Sequence, residues 1–349
     1  MRRLGVALAC LLLLVEPAGA FTLKDSRGQA LVLPAPPQRI VSLVPSVTEI
    51  IYALGGEARL VGVTDFCDWP PEAGQKPRVG GMLAPNLELI VALRADLVVA
   101  TTEGNRQETF EQLQRLKIPV FTVSPHRLSD VMTVIAQLGE LTGRQATVRP
   151  LVGALTRRIS AVERAVRPYP RPKVLYVLWP EPLVVPGRDG LVTELIERAG
   201  GASVTAGEPD AYPRFSLEAV VARAPDVIIL ARHWADGTPL SRAPWERLTT
   251  LPAVRGGRIH SVDGTYLHRY GPRVVDGLEM LARVIHPEAF SSEGGSAPLP
   301  TPLGKADPSL RSGLRGLPPP EEQDCVGKAR TGARPRNQGA ADGRCSNAH

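Results

Sequence analysis

Short apolar, β-branched runs alternate with helical periodicity between about residues 21 and 290, the pattern of repeated α/β units. Residues 40–44, 97–100, 120–123, 174–178 and 227–230 each read as a strand. Continuous apolar runs of that length suit strands covered on both faces. Between the third and fourth runs, Leu151, Leu155, Ile159, Val162 and Val166 follow spacings of 4, 4, 3 and 4, the stripe of an amphipathic helix. This helix is expected to run from near Gln145 to just before Pro168, about 30 Å at 1.5 Å per residue. Pro150 either kinks it or sits in its first turn.

Two echoes in the pattern predict an internal duplication. Val47-Thr48-Glu49-Ile50-Ile51, closing at Gly55-Gly56, returns as Val192-Thr193-Glu194-Leu195-Ile196, closing at Gly200-Gly201. Asn86-Leu87-Glu88, leading to Asp96 and an apolar run, returns as Ser216-Leu217-Glu218, leading to Asp226 and another. The offsets are 145 and 130 positions and the order is kept, so two similar lobes differ by a loop. The expected organisation is an α/β lobe over 21–125, a connecting region with the long helix over 126–170, and a second α/β lobe over 171–290. Parallel-rich sheets and one rigid inter-lobe helix predict small lobe motion.

The ends of the chain differ from its middle. Arg2 and Arg3, the apolar stretch from Val6 to Val15, and Ala18-Gly19-Ala20 form a secretory signal over 1–20, too short to span a bilayer. Export is therefore expected, with a soluble mature chain beginning near Phe21. Cys10 lies inside the apolar run rather than after it, which argues against lipid attachment. Residues 291–349 are rich in Pro, Gly, Ala and charge without apolar periodicity, the composition of a disordered tail. Cys325 and Cys345 have each other as possible partners there, while Cys67 reads as a buried small residue. The net charge of +6 brings no basic run within the periodic region, so nucleic acid is not an expected partner.

The stretch from Arg39 through Val44-Pro45-Ser46-Val47-Thr48-Glu49 resembles the opening of the iron-complex and vitamin B12 periplasmic binding proteins of ABC importers. The likeness continues through Val61-Gly62-Val63-Thr64, Cys67-Asp68-Trp69-Pro70-Pro71, Asn86-Leu87-Glu88 and Gly271-Pro272-Arg273, over roughly residues 37 to 288. It is closest to the cobalamin-binding branch. The resemblance implies a class III periplasmic binding protein: two α/β lobes joined by a helical backbone, periplasmic and monomeric, with ligand in the cleft between them. It also implies docking onto a membrane permease and its ATPase subunits through one glutamate per lobe. Glu88 and Glu218 match those positions, and each sits in a first helical turn after an Asn or Ser cap. Dipole complementation alone would also explain a single such glutamate; the matched pair favours docking.

Loops after parallel strands form the ligand crevice of open α/β sheets, and here they concentrate the aromatic residues. Of 16 aromatics, seven lie in candidate cleft loops: Phe66, Trp69, Trp179, Tyr212, Trp234, Tyr266 and Tyr270. Rigid rings bury large area with few rotors to freeze, which suits a broad, flat ligand. Trp69 and Trp245 read as the most structural of the tryptophans. By resemblance, Phe66, Met82, Trp179, Tyr212 and Tyr266 fall near positions lining a corrin pocket. The expected ligand-binding set is thus Phe66, Met82, Trp179, Tyr212, Trp234, Tyr266 and Tyr270.

Ligand chemistry turns on metal and charge. Cobalamin brings its own cobalt ligands, so the expected corrinoid needs no metal bond from the protein. A haem would call on Tyr266, Tyr270, His268 or His233. A ferric siderophore would call on inward arginines, for which Arg214, Arg232, Arg269 and Arg273 read as too mixed with carboxylates and surface-like neighbours. An enzyme, such as a secreted hydrolase, is disfavoured: Gly-x-Ser-x-Gly, phosphate-loop and His-Glu-x-x-His patterns do not occur, and no catalytic cofactor is expected. A freestanding scavenger would keep the fold and lose the role of the two glutamates.

Overall fold

A computed structural model describes residues 21–232 and 239–291. A hairpin of β1 (Phe21–Lys24) and β2 (Ala30–Leu33) precedes the first α/β unit, β3 (Ile40–Ser42), α1 (Pro45–Ala53) and β4 (Leu60–Val63). Then follow α2 (Leu87–Ala92), β5 (Leu97–Thr101), α3 (Gln107–Arg115), β6 (Val120–Val123), α4 (Leu128–Leu141) and the long α5 (Gln145–Val166). The second half contains β7 (Lys173–Val177), β8 (Trp179–Pro180), β9 (Leu183–Val184), α6 (Leu191–Arg198), β10 (Ala202–Ser203), α7 (Leu217–Arg223) and β11 (Val227–Arg232). It closes with α8 (Ala243–Glu246), α9 (Pro252–Arg255), β12 (Ile259–Asp263), α10 (Thr265–His268) and α11 (Val274–Ile285).

The two halves share one topology. Their four-stranded parallel sheets run β4-β3-β5-β6 and β10-β7-β11-β12, the same order in each. The correspondence reaches single bonds. The carboxylate of Asp96 accepts the Arg39 amide and that of Asp226 accepts the Lys173 amide, so the same aspartate ties adjacent strands in both halves. Helices α2 and α7 are both followed by a residue at positive φ, Arg94 and Ala224.

Residue parity along the strands explains the layers, because successive side chains leave a strand on opposite faces. Leu97 and Val99 of β5, like Val227 and Ile229 of β11, pack into one large central core, whereas Val98 and Ala100, and Ile228 and Leu230, feed two separate outer cores. The central core also takes α1, α4, α5, α6 and α11. The molecule is therefore a helical layer between two sheets, with an outer layer beyond each. The predicted stripe of α5 is its buried face, joined by Thr147 and Arg158. Pro150 lies within the helix without ending it. Rather than standing free between the lobes, the helix packs on α4 and α11. Arg158 anchors it there, donating to the carboxylates of Asp276 and of Glu279 (2.8 Å) in a site where all three are nearly buried.

Candidate functional site

In a parallel α/β sheet the ligand crevice lies beyond the carboxyl ends of the strands, and in both halves the loops at those ends carry the candidate residues. Past β4, Arg78 holds the loop by donating to the carbonyls of Thr64 (2.6 Å) and Cys67 (3.0 Å). That fixes half-buried Phe66 and Trp69 on either side of buried Cys67. Burial pushes the Cys67 thiol up, against the hydroxyls of Thr48 and Thr64, so it stays a neutral thiol. Met82 follows on the next loop. Asn105, 7% exposed, spans two segments: its oxygen accepts the Thr101 amide (2.8 Å) and its nitrogen donates to the Met82 carbonyl (2.7 Å).

In the second half, Trp179 is 41% exposed and donates its indole N–H to the Glu181 carbonyl at 2.9 Å. Tyr212 is 39% exposed and shares a hydrogen bond between hydroxyls with Tyr270. Its loop is drawn against the segment after β9: the Gly187 amide donates to the Ala211 carbonyl (2.9 Å). A β-carbon at Gly187 would meet the Asp210 carbonyl oxygen at 1.9 Å, so only glycine permits the approach. Tyr266 lies on α10. His268, at the end of that helix, bonds through Nε2 to the hydroxyl of buried Tyr176 (2.9 Å).

The two walls meet in a charged cluster. Arg273, at the start of α11, donates to Glu49 of α1 through Nε (3.0 Å) and Nη2 (2.5 Å). Its guanidinium lies over the rings of Trp69 (4.7 Å) and Tyr266 (5.3 Å), one from each half. Arg269 pairs with the carboxylate of Asp68 through both terminal nitrogens, Nη2 to Oδ2 at 3.1 Å, and lies 3.8 Å from Glu49. Burial pushes the Glu49 carboxyl above its ordinary range, opposed by the hydrogen bonds and charge of Arg273. Arg269 and Arg273 read as surface-like in the sequence; they are 9% and 7% exposed, turned inward and paired across the lobes. Arg214 and Arg232 remain exposed, the latter 3.8 Å from Asp263.

Farther out, Glu103 after β5 pairs with His126 after β6 (3.0 Å), and its charge raises the pKa of Tyr212 and Tyr270 after burial has done so. The structure thus gathers Trp69, Tyr212, Tyr266 and Tyr270 at the junction, with Phe66, Met82 and Trp179 on the loops around it. Trp234 and His233, like the signal segment and the tail cysteines, lie outside the described residues. Trp245 is core, 4% exposed beneath the second sheet. Sequence reading missed Glu49, Asp68 and Asn105 as site residues. The repeated Thr-Glu pair was a signal for Glu49, since a carboxylate amid apolar helix residues needs a buried partner.

Glu88 and Glu218 take equivalent places. Each is exposed in the first turn of its helix, behind an Asn86 or Ser216 side chain that caps a backbone N–H (3.0 and 3.1 Å). Backbone N–H and the Ser216 hydroxyl hold the Glu218 carboxyl below its ordinary range. Both helices precede a parallel strand, so both glutamates lie on the edge where the crevice opens.

The sequence profile of the family described as "Periplasmic binding protein" matches residues 40–263. The chain is 28% identical over 243 residues to a vitamin B12-binding protein of Vibrio parahaemolyticus, covering 70% of this chain and 87% of that one. It is 29% identical over 276 residues to an uncharacterized ABC transporter substrate-binding lipoprotein of Bacillus subtilis (77% and 86%). A solved periplasmic haem-binding protein of Pseudomonas aeruginosa superposes with a TM-score of 0.62 at 29% identity, covering 76% of this chain and 96% of that one.

Proposed function

From the premise that this chain belongs to the periplasmic binding protein family, as an ABC-type substrate-binding protein, we propose that it captures a cobalamin-like corrinoid between its lobes and delivers it to a membrane permease. The observation that carries this reading is the convergence of rings from both halves on one junction. Trp69 and Tyr266 meet at Arg273, and Tyr212 pairs with Tyr270. Such a slot matches a broad planar macrocycle. Among the described side chains that would ligate a haem iron, His268 is already engaged on the Tyr176 hydroxyl and Tyr270 on that of Tyr212. A corrinoid, whose cobalt brings its own ligands, needs neither. The proposed lining is Phe66, Met82, Trp179, Tyr212, Trp234, Tyr266 and Tyr270.

Export fits the N-terminal signal, and no helix among the described residues is long and apolar enough to cross a membrane. Glu88 and Glu218 are proposed to dock on arginines of the permease, one per lobe.

Titrating the purified mature chain with cyanocobalamin, haemin and ferric siderophores, by absorbance and calorimetry, tests the ligand. Submicromolar cyanocobalamin binding is expected. Haemin binding with a shifted Soret band and no cobalamin response would replace the corrinoid with haem.

A further inference from the structure

Nine large hydrophobic side chains are conspicuously exposed among the described residues, and five of them lie within five positions of the two first-turn glutamates: Leu83 (57%), Leu89 (44%), Val91 (47%), Leu217 (50%) and Val221 (42%). Two are matched by the duplication. Val91 follows Glu88 by three positions on α2, and Val221 follows Glu218 by three on α7. Residues three apart on a helix share a face, so each lobe presents a carboxylate with an exposed valine one turn behind it. The residues just before them, Ile90 and Val220, are fully buried against the sheets. Burial thus sets the rotation of both helices and turns the valines outward.

Folding gives no reason for those valines. A β-branched side chain loses rotamer freedom in a helix, and at an exposed position packing returns nothing for it. The pair is also not a scattered accident, because it recurs in two halves with the same strand order. A partner reading both patches must present the same socket twice: a cation for the carboxylate and an apolar surface beside it.

We propose that Val91 and Val221, flanked by Leu83, Leu89 and Leu217, are the apolar contacts of the docking face, received by a two-fold related pair of permease subunits. This rests on the carrier reading above. The carboxylates supply charge steering and register, while the apolar residues supply the desolvated contact that slows release.

Binding of the fluorescently labelled full chain to right-side-out membrane vesicles from cells that make it tests the idea without depending on which ligand is carried. Six variants are compared: V91D, V221D, V91A, V221A, E88Q and E218Q, all at exposed positions and checked for fold by circular dichroism. We expect V91D and V221D each to weaken vesicle binding at least tenfold, and V91A and V221A to weaken it less. Loss in E88Q and E218Q with unchanged V91D and V221D would overturn the inference and leave glutamate docking standing. No loss in any of the six would remove the docking face altogether. Equal binding of the unaltered chain to protein-free liposomes of the same lipids would also overturn it, since the occupant would then be a lipid surface.

Discussion

Glu49 and Arg273, 224 residues apart, join the two lobes through a two-pronged ion pair in which both side chains are almost wholly buried. The duplicated glutamate, Glu194, makes the counterpart bond in the opposite direction: its carboxylate accepts the Leu128 amide at 3.0 Å, at the start of α4. Glu49 therefore reaches the start of α11 in the second half, and Glu194 the start of α4 in the first. This exchange, together with the shared central core, fixes how the two walls of the crevice face each other.

Removing Arg273 leaves a buried carboxylate without its partner. Arg273→Met is expected to lower unfolding free energy by about 3 kcal/mol, the lower end for a broken buried pair, because an orphaned Glu49 takes up a proton. Arg273→Lys keeps the charge and loses the fork and the ring contacts, so it should still be measurably destabilised. Chemical denaturation of the three proteins checks this. A loss below about 1 kcal/mol in the methionine variant would show that the pair does not hold the lobes.

Two tryptophans separate ligand contact from core packing. Trp245→Ala empties a site beneath the second sheet and is expected to cost about 3–5 kcal/mol of stability. Trp179→Ala removes a side chain that is 41% exposed on a crevice loop, so stability should change little while corrinoid affinity falls roughly tenfold. Thermal unfolding and cyanocobalamin titration on both variants read the difference. The reverse pattern would move the binding surface away from β8.

Asn105 makes a sharper case, since a single amide side chain holds the Thr101 amide and the Met82 carbonyl together. Asn105→Ala leaves two backbone groups short of partners and should cost about 1–3 kcal/mol. With the Met82 loop released, cyanocobalamin affinity should fall as well. Asn105→Asp keeps the acceptor and loses the donor, so it should weaken ligand binding more than it weakens the bond to Thr101. Hydrogen exchange at the Thr101 amide separates the two bonds.

Much of this fold was legible because its signals are local. Five apolar runs became β3, β5, β6, β7 and β11, and the stripe from Leu151 to Val166 became the buried face of α5. Three strands of the two parallel sheets gave no comparable run. β4 carries Gly62, where a β-carbon would sit 2.7 Å from Leu93; β10 has two residues; and β12 is interrupted, with polar His260 and Ser261 between buried Ile259 and Val262. The aromatic loops were visible as composition. The charged junction was not, because Asp68 and Arg269 lie 201 residues apart and only the packed lobes bring them together. Arg269 looked like surface for the same reason: its neighbours in sequence are not its neighbours in space.

That junction also predicts an acid response with two opposite parts. Burial works against the charge of Asp68, but the hydrogen bonds and charge of Arg269 win and hold its carboxyl below the ordinary range. Its folded pKa is thus lower than its unfolded value of about 3.9. Stability from this pair is fully present above about pH 4 and is lost as pH falls through the depressed folded value. Glu49 behaves oppositely. Burial raises its folded pKa, so its contribution falls as pH rises from about 4.3 toward the raised value. Asp68→Asn should therefore flatten the stability curve below pH 4 and, by removing a charge that helps raise Glu49, also lessen the fall above pH 4.3. Glu49→Gln should alter the slope above pH 4.3 instead. Urea denaturation between pH 3 and 7 measures both, and a D68N curve parallel to that of the unaltered protein below pH 4 would show that Arg269 does not hold Asp68 in solution.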